Sequence, residues 1–271
     1  MAQERAQERI LITGAGSGLG RALAQRYAAR GAAVCCADIR RDRAEETVAL
    51  LGGGPHFAAE VDIASDESFA ALREAVRARW DTLDVLVNNA GVSSGGGLLE
   101  APMREWEWML NVNLLGVVRG CRTFLPDLLA QGRGRIVNVA SFAGLAGAPN
   151  IMTYGVAKAG VVTLSEQLRA EVAHKGIAVS VVCPSFFKTN LLENWGETGL
   201  RMKQFAQRLM DNAKESADDI AAAIIAQSER GTFLVLPTRA ERLRWRLKRF
   251  LPEVYFRQLQ KMARERGQSG H

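Results

Sequence analysis

Apolar residues in this chain gather into short, nearly continuous runs separated by longer amphipathic stretches. The runs cover residues 9–13, 33–37, 56–61, 84–88, 135–140, 177–183 and 232–236, and each has the length of a β-strand. The stretches between them predict helices over residues 19–30, 42–51, 66–80 and 153–175, with one or two more over residues 104–131 that bend at Pro126. Asp66 places a carboxylate in the first turn of the third helix, where the helix dipole favours it. Strands that are apolar on both faces and alternate with helices predict an α/β fold, a doubly wound parallel sheet of about seven strands covered on both sides. No repeat or linker interrupts the pattern, so residues 1–238 read as one domain, with residues 239–271 as a helical tail.

Composition narrows the function classes. With 271 residues, 48% of them hydrophobic, the chain can bury a large core. Residues 1–8 and 264–271 are polar and are expected to be mobile. No apolar stretch follows Met1, so no secretory leader is expected, and no run of about twenty apolar residues exists to cross a bilayer. Cys35, Cys36, Cys121 and Cys183 lack CxxC spacing and read as buried, reduced thiols of a cytoplasmic protein. His56, His174 and His271 form no cluster, so no catalytic metal is expected. The net charge of +6 is local: residues 239–266 carry ten Lys/Arg and three Asp/Glu, a balance of +7, which leaves the remainder at −1. Nucleic acid is therefore not an expected partner.

Candidate chemistry begins with Tyr154 and Lys158, four residues apart, and with Ser141, thirteen residues before Tyr154 at the end of an apolar run. Residues four apart share one face of a helix. An ammonium beside a phenol favours the phenolate, so a group that ordinarily holds its proton to about pH 10 could exchange it nearer neutrality. Such a pair suits general acid–base chemistry on an alcohol or ketone; an ordinary surface Tyr and Lys is the plainer alternative. Just past the first strand, Thr13-Gly14-Ala15-Gly16-Ser17-Gly18-Leu19-Gly20 forms a glycine turn leading into a helix. That order lets backbone approach a pyrophosphate and presents helix N-terminal amides to it, although the spacing differs from GxGxxG. Asp38, ending the second strand, suits ribose hydroxyls and repels a 2′-phosphate, while Arg40 and Arg41 nearby could receive one. Asp62 ends the third strand and either meets the adenine edge or caps the next helix. Asn88-Asn89-Ala90-Gly91 closes the fourth strand as a polar crevice wall or a turn. Asn113 lies in an apolar stretch, where a buried amide must find partners.

Taken together, TGAGSGLG at residues 13–20, Asp62, NNAG at residues 88–91, Asn113 in NVNL, Ser141 in NVAS and YGVAK at residues 154–158 resemble the short-chain dehydrogenase/reductase family. The resemblance runs up to about Leu236. It implies a Rossmann-type domain, a nicotinamide cofactor, and a tetrad of Asn113, Ser141, Tyr154 and Lys158. In that family Tyr154 would exchange the substrate proton and Ser141 would bond the substrate oxygen. Lys158 would bind the nicotinamide ribose and lower the phenol pKa, and Asn113 would hold a relay water. Gly14, Ser17, Gly18, Leu19 and Gly20 would form the phosphate turn. Asp38 and Asp62 would face the adenosine, with Asn89, Ala90 and Gly91 lining that side. Pro184 and Thr189 would lie toward the nicotinamide or phosphate end. One departure is Pro184-Ser185, where the family usually has Pro-Gly, which puts the local turn in question. Asp38-Ile39 matches the NAD-preferring form; NADP is the alternative because Arg40 follows.

The implied activity is interconversion of a secondary alcohol and a ketone, with a sugar or polyol dehydrogenase or a non-catalytic dinucleotide-binding regulator as alternatives. Residues 186–212 would form a lid over the substrate. Phe186, Phe187, Leu191, Leu192, Trp195, Leu200, Met202, Phe205, Leu209 and Met210 make it apolar and favour a hydrophobic substrate, unless they simply pack on the body. In the tail, Leu243, Leu247, Phe250 and Leu251 recur at helical spacing among basic residues, with a break at Pro252. The tail could lie on an anionic membrane surface or dock on the domain or a partner subunit. A homodimer or homotetramer is expected, paired through Leu114, Leu115, Val117 and Val118 of one helix and Val161, Val162, Leu164 and Leu168 of the next.

Overall fold

The computed structural model describes residues 7–189, 192–193 and 195–268, with side-chain surroundings described as far as residue 264. Seven strands run parallel: β1 (Arg9–Thr13), β2 (Ala33–Asp38), β3 (Phe57–Glu60), β4 (Val85–Asn88), β5 (Gly134–Val139), β6 (Ile177–Val182) and β7 (Leu234–Val235). Their order is β3-β2-β1-β4-β5-β6-β7. Leu11 pairs with Cys35 on one side and Leu86 on the other, so β1 lies inside the sheet. The chain winds outward from β1 to β3 and then restarts on the other side with β4. That reversal leaves a crevice at the carboxyl ends of β1 and β4, where α/β sheets bind ligands.

The sheet has helices on both faces, which is why its strands are apolar throughout. Leu11, Cys35 and Leu86 point to one side and meet Phe69, Phe124 and Val161. Ile10, Ile12, Val34 and Cys36 point to the other and meet Leu23, Tyr27 and Ile224. The helices before the tail are α1 (Gly18–Ala29), α2 (Arg41–Ala49), α3 (Asp66–Arg77), α4 (Met103–Leu110), α5 (Gly116–Gln131), α6 (Ala143–Ala146), α7 (Met152–Val172), α8 (Leu200–Asp211) and α9 (Ala217–Glu229), and all but α4 and α8 contribute to these two clusters. All four cysteines are buried free thiols, and burial pushes the Cys36 thiol up to about 12.

Several expectations change. Pro126 lies inside α5, which continues through it, and a π-helical turn over Asn111–Leu115, which had not been expected, stands between α4 and α5. α9 had not been expected; a capping box between Ser216 and Asp219 starts it, and it buries Ile220, Ile224 and Ile225. Of the residues expected to pair subunits, Val117, Val161, Val162 and Leu168 are buried within the protomer, Leu114, Val118 and Leu164 are half-buried, and Leu115 is exposed. In the lid, Leu192, Ala206 and Met210 pack with Trp195 into a cluster of their own, and Phe187 joins the main core. Phe187 thus packs on the body, Leu192, Met210 and Trp195 pack on one another within the lid, and Phe186 and Leu200 remain exposed. Leu191 lies outside the described residues.

The tail forms α10 (Arg239–Phe250) and α11 (Pro252–Gln268), both folded back on the domain. Its packed face is not the expected apolar row: Leu243, Phe250 and Leu251 are exposed, whereas Glu241 is buried and Trp245 packs against the core. No described helix is long and apolar enough to cross a membrane.

Candidate active site

Three elements bring the chemistry together at the carboxyl edge of the sheet. β5 ends just before Ser141, α7 carries Tyr154 and Lys158 in its first two turns, and the π-helical turn carries Asn113. Ser141 is held by its neighbours: its Oγ accepts the Ala143 N–H at 3.1 Å, and it hydrogen-bonds the Tyr154 side chain. Lys158 is 4% exposed, and its Nζ donates to the Val139 carbonyl at 3.0 Å. The same Nζ lies 5.9 Å from the centre of the Tyr154 ring.

Burial dominates the electrostatics here. It pushes the Tyr154 phenol up to about 12, against the lowering effect of the Ser141 hydrogen bond. It pulls the Lys158 ammonium down to about 8. The phenol is raised where a lowering was expected: desolvation of the phenolate is the largest cause, and Lys158 itself pays a desolvation cost. At pH 7 the pair is a neutral phenol beside an ammonium, which is a proton donor ready for a carbonyl oxygen.

Asn113 is fully buried and its amide is spent on structure. Its Nδ2 donates to the Val92 carbonyl at 3.0 Å and to Met109 Sδ, while its Oδ1 accepts the Val92 N–H at 3.0 Å. The side chain is a strut between the π-helical turn and the loop after β4. π-turns displace main-chain groups from the helical ladder and recur at functional sites. Gly91 fits between Asn113 and Lys158, because a Cβ there would come 2.5 Å from Asn113 Oδ1 and 3.5 Å from Lys158 Nζ.

The glycine turn meets the demands of a dinucleotide. Gly14 and Gly18 have φ of +67° and +50°, conformations that side chains resist. Ser17 is the N-cap of α1 but its side chain makes no capping bond, and Leu19 turns into the core, so the helix start offers backbone amides outward. A cavity of about 330 Å³ opens there, lined by Gly18, Lys188, Thr189, Gln207, Met210 and Asp211. Gly18, Thr189 and the cation Lys188 thus converge where a pyrophosphate would lie, and the residues present fit a nicotinamide dinucleotide. Sequence reasoning missed Lys188, whose only signal is its place beside Thr189.

Other expected contacts shift. The Asp38 carboxylate accepts the Gly16 N–H at 2.9 Å and the Arg40 N–H at 3.0 Å, which fixes it against the glycine turn. Arg40 and Arg41 are paired with Asp42 and Glu45. Asp62 does not cap α3; Ser65 does, and Asp62 Oδ1 accepts the Ala64 N–H at 2.8 Å in a local turn. Asn89 does not simply line the adenosine side: its Nδ2 holds the Thr13 and Gly14 carbonyls at 2.9 and 3.2 Å. The Ala90 N–H bonds Thr13 Oγ1 at 3.2 Å. Beneath this wall, Asn88 donates to Asn138 at 2.9 Å and Asn138 to Ser165 at 3.0 Å, a buried chain linking β4, β5 and α7. Ser165 carried no motif signal, and Asn138 stood in the NVAS motif without an assigned role.

A glycine-turn crevice facing a Ser–Tyr–Lys cluster defines a dinucleotide-binding oxidoreductase. The chain belongs to the short-chain dehydrogenase/reductase family: that family's model, short chain dehydrogenase, matches residues 8–199. The chain is 34% identical over 215 residues to meso-2,3-butanediol dehydrogenase from Serratia marcescens, covering 79% of this chain and 84% of that one. It is 36% identical over 190 residues to probable oxidoreductase EphD from Mycobacterium tuberculosis, covering 69% of this chain but only 32% of EphD. A short-chain dehydrogenase/reductase from Burkholderia phymatum, solved in complex with NAD, superposes with a TM-score of 0.87 at 30% identity, over 93% of this chain and 96% of that one.

Proposed function

We propose that the protein interconverts a secondary alcohol and a ketone with NAD, and that Tyr154 is its general acid and base. The observation that carries this reading is the convergence of Ser141, Tyr154 and Lys158 on one buried spot facing the glycine turn. A nicotinamide cofactor, when bound, supplies or accepts the hydride. In reduction, the Ser141 hydroxyl hydrogen-bonds the substrate carbonyl oxygen and Tyr154 gives that oxygen its proton. Lys158 then stabilises the phenolate left behind. In oxidation the proton returns by the same path.

Dehydrogenase assays with purified protein, both cofactors, and panels of apolar ketones and small diols test the reading directly. Turnover of none of these, with intact dinucleotide binding, would leave the regulator reading. Exposed Phe186 and Leu200 at the lid support a hydrophobic substrate. The likeness to a butanediol dehydrogenase supports a small diol as the second reading.

Lys158 sets a pH dependence. With its pKa at about 8 it is charged below that value and neutral above it. Ketone reduction at saturating NADH is therefore expected to slow as pH rises through about 8. A kcat profile that stays flat from pH 7 to 9 would remove Lys158 from this role.

Asp38 sets the cofactor preference. Its carboxylate is fixed at the ribose end, and the two arginines that could neutralise a 2′-phosphate are engaged with their own acids. NADH should bind at least about tenfold more tightly than NADPH, since each 1.4 kcal/mol of repulsion is a factor of ten. Asp38→Ala should narrow that gap. Fluorescence titration with both cofactors reads it, and tighter NADPH binding by the parent protein would reverse the assignment.

We further propose assembly as a homodimer or homotetramer, and we keep peripheral contact with an anionic membrane as a proposal for the exposed Leu243–Phe250 side of α10 and its arginines.

A further inference from the structure

The tail approaches the site through polar contacts at defined positions. Glu241 is 1% exposed although it sits on a helix that is otherwise largely exposed. One of its carboxylate oxygens accepts the Ser185 N–H and the other accepts the Thr238 N–H at 2.8 Å, completing a capping box at the start of α10. Burial raises the Glu241 pKa. Two turns along α10, Lys248 donates to the Leu145 carbonyl of α6. In α11, Tyr255 is buried and the Phe256 ring lies against Gly147, which ends α6.

These contacts bracket the segment that carries Ser141. The Pro184 carbonyl, adjacent to the Ser185 N–H, accepts the Phe142 N–H at 2.8 Å. Phe142 follows Ser141, whose Oγ is set by the Ala143 N–H. The path is continuous: Glu241 carboxylate to Ser185 N–H, Pro184 carbonyl to Phe142 N–H, then Ser141. Lys248 grips the far end of the same short helix. A buried carboxylate that spends both oxygens on backbone amides fixes position more strictly than an apolar stripe, because hydrogen bonds weaken steeply with misalignment. Leu243 and Phe250 of α10, which could have extended an apolar stripe, point outward instead.

We propose that Glu241 is a positioning residue, and that the C-terminal extension clamps the Ser141–Gly147 rim of the substrate cleft through it. The proposal builds on the dehydrogenase reading. Glu241 touches neither substrate nor cofactor; it acts through the Pro184–Ser185 turn on the hydroxyl that meets the substrate oxygen. The serine that replaces the family's usual glycine keeps the N–H on which this clamp depends.

The experiment compares Glu241→Ala, Glu241→Gln and Thr238→Val. Thr238→Val weakens the same helix cap but leaves the Ser185 acceptor in place. Glu241→Ala should lower kcat/KM for substrate by about tenfold or more, since small misplacements of catalytic groups have effects of that order. The NADH dissociation constant should change by less than about threefold, because the glycine turn and Asp38 dominate it. Glu241→Gln keeps one acceptor and should restore part of the loss, and Thr238→Val should lower the melting temperature with kcat/KM near the parent value. Amide hydrogen exchange at Ser185 and Phe142 should speed up in Glu241→Ala and not in Thr238→Val. That readout stands even if no substrate is found, so it separates this proposal from the dehydrogenase reading. If Glu241→Ala does not fold, Glu241→Gln carries the same comparison. Unchanged kcat/KM with slow exchange at both amides would overturn the proposal, as would equal losses in the Glu241 and Thr238 variants.

Discussion

Tyr154→Phe is expected to lower kcat by about 10²–10⁴-fold, the usual contribution of a positioned proton donor. The change removes one oxygen and leaves the ring that packs beside Lys158 Nζ. It also removes the partner of Ser141, but that serine keeps its bond from the Ala143 N–H and its place after β5. Folding and NADH binding should therefore stay close to those of the parent. The informative comparison is kcat against the NADH dissociation constant from fluorescence titration. A loss in kcat with unchanged NADH affinity assigns the proton transfer to Tyr154. Turnover within threefold of the parent on the same substrate would mean that another group supplies the proton, and the mechanism proposed here would fail.

The second large effect belongs to the glycine turn. A Cβ at Gly20 would overlap the Gly14 carbonyl oxygen and crowd Asn89 Nδ2 at 2.7 Å. Both are anchored, because Asn89 holds the Thr13 and Gly14 carbonyls. Gly20→Ala must therefore push the first turn of α1 away from the end of β1. Overpacking of this kind costs about 1–3 kcal/mol. The displaced amides are those that face the cavity bordered by Gly18 and Thr189. NADH affinity should fall by at least about tenfold, with a melting temperature lower by several degrees. Thermal unfolding with and without NADH measures both effects. A variant with parental stability and full stabilisation by NADH would show that α1 does not need this close approach.

Much of the fold could be read from local pattern. Seven apolar runs alternating with helices imply a covered parallel sheet because strands buried on both faces lose their polar alternation. The glycine turn was legible because positive φ and close approach select glycine almost alone. Tyr154 and Lys158 were legible because four-residue spacing is itself a helical contact. The boundaries of β7 and the absence of α9 from the expectation show the limit: Ala217–Glu229 has small and apolar residues without a sharp period, and its partner is the far side of the sheet.

What the sequence determined by itself, then, was the type of each strong element, the family, and the residues whose chemistry is tied to short spacing. Tertiary structure decided which groups meet across long separations, and how buried they are. Burial reversed the expected shift of Tyr154, since desolvation depends on everything packed around a group and not on its neighbour in the chain. It turned Asn113 from an isolated amide into a strut for Val92, and buried Val117, Val161 and Val162 within the protomer while leaving Leu115 exposed. It also chose the docked face of the tail, because a carboxylate that finds two backbone N–H donors can be buried where hydropathy alone would place it outside.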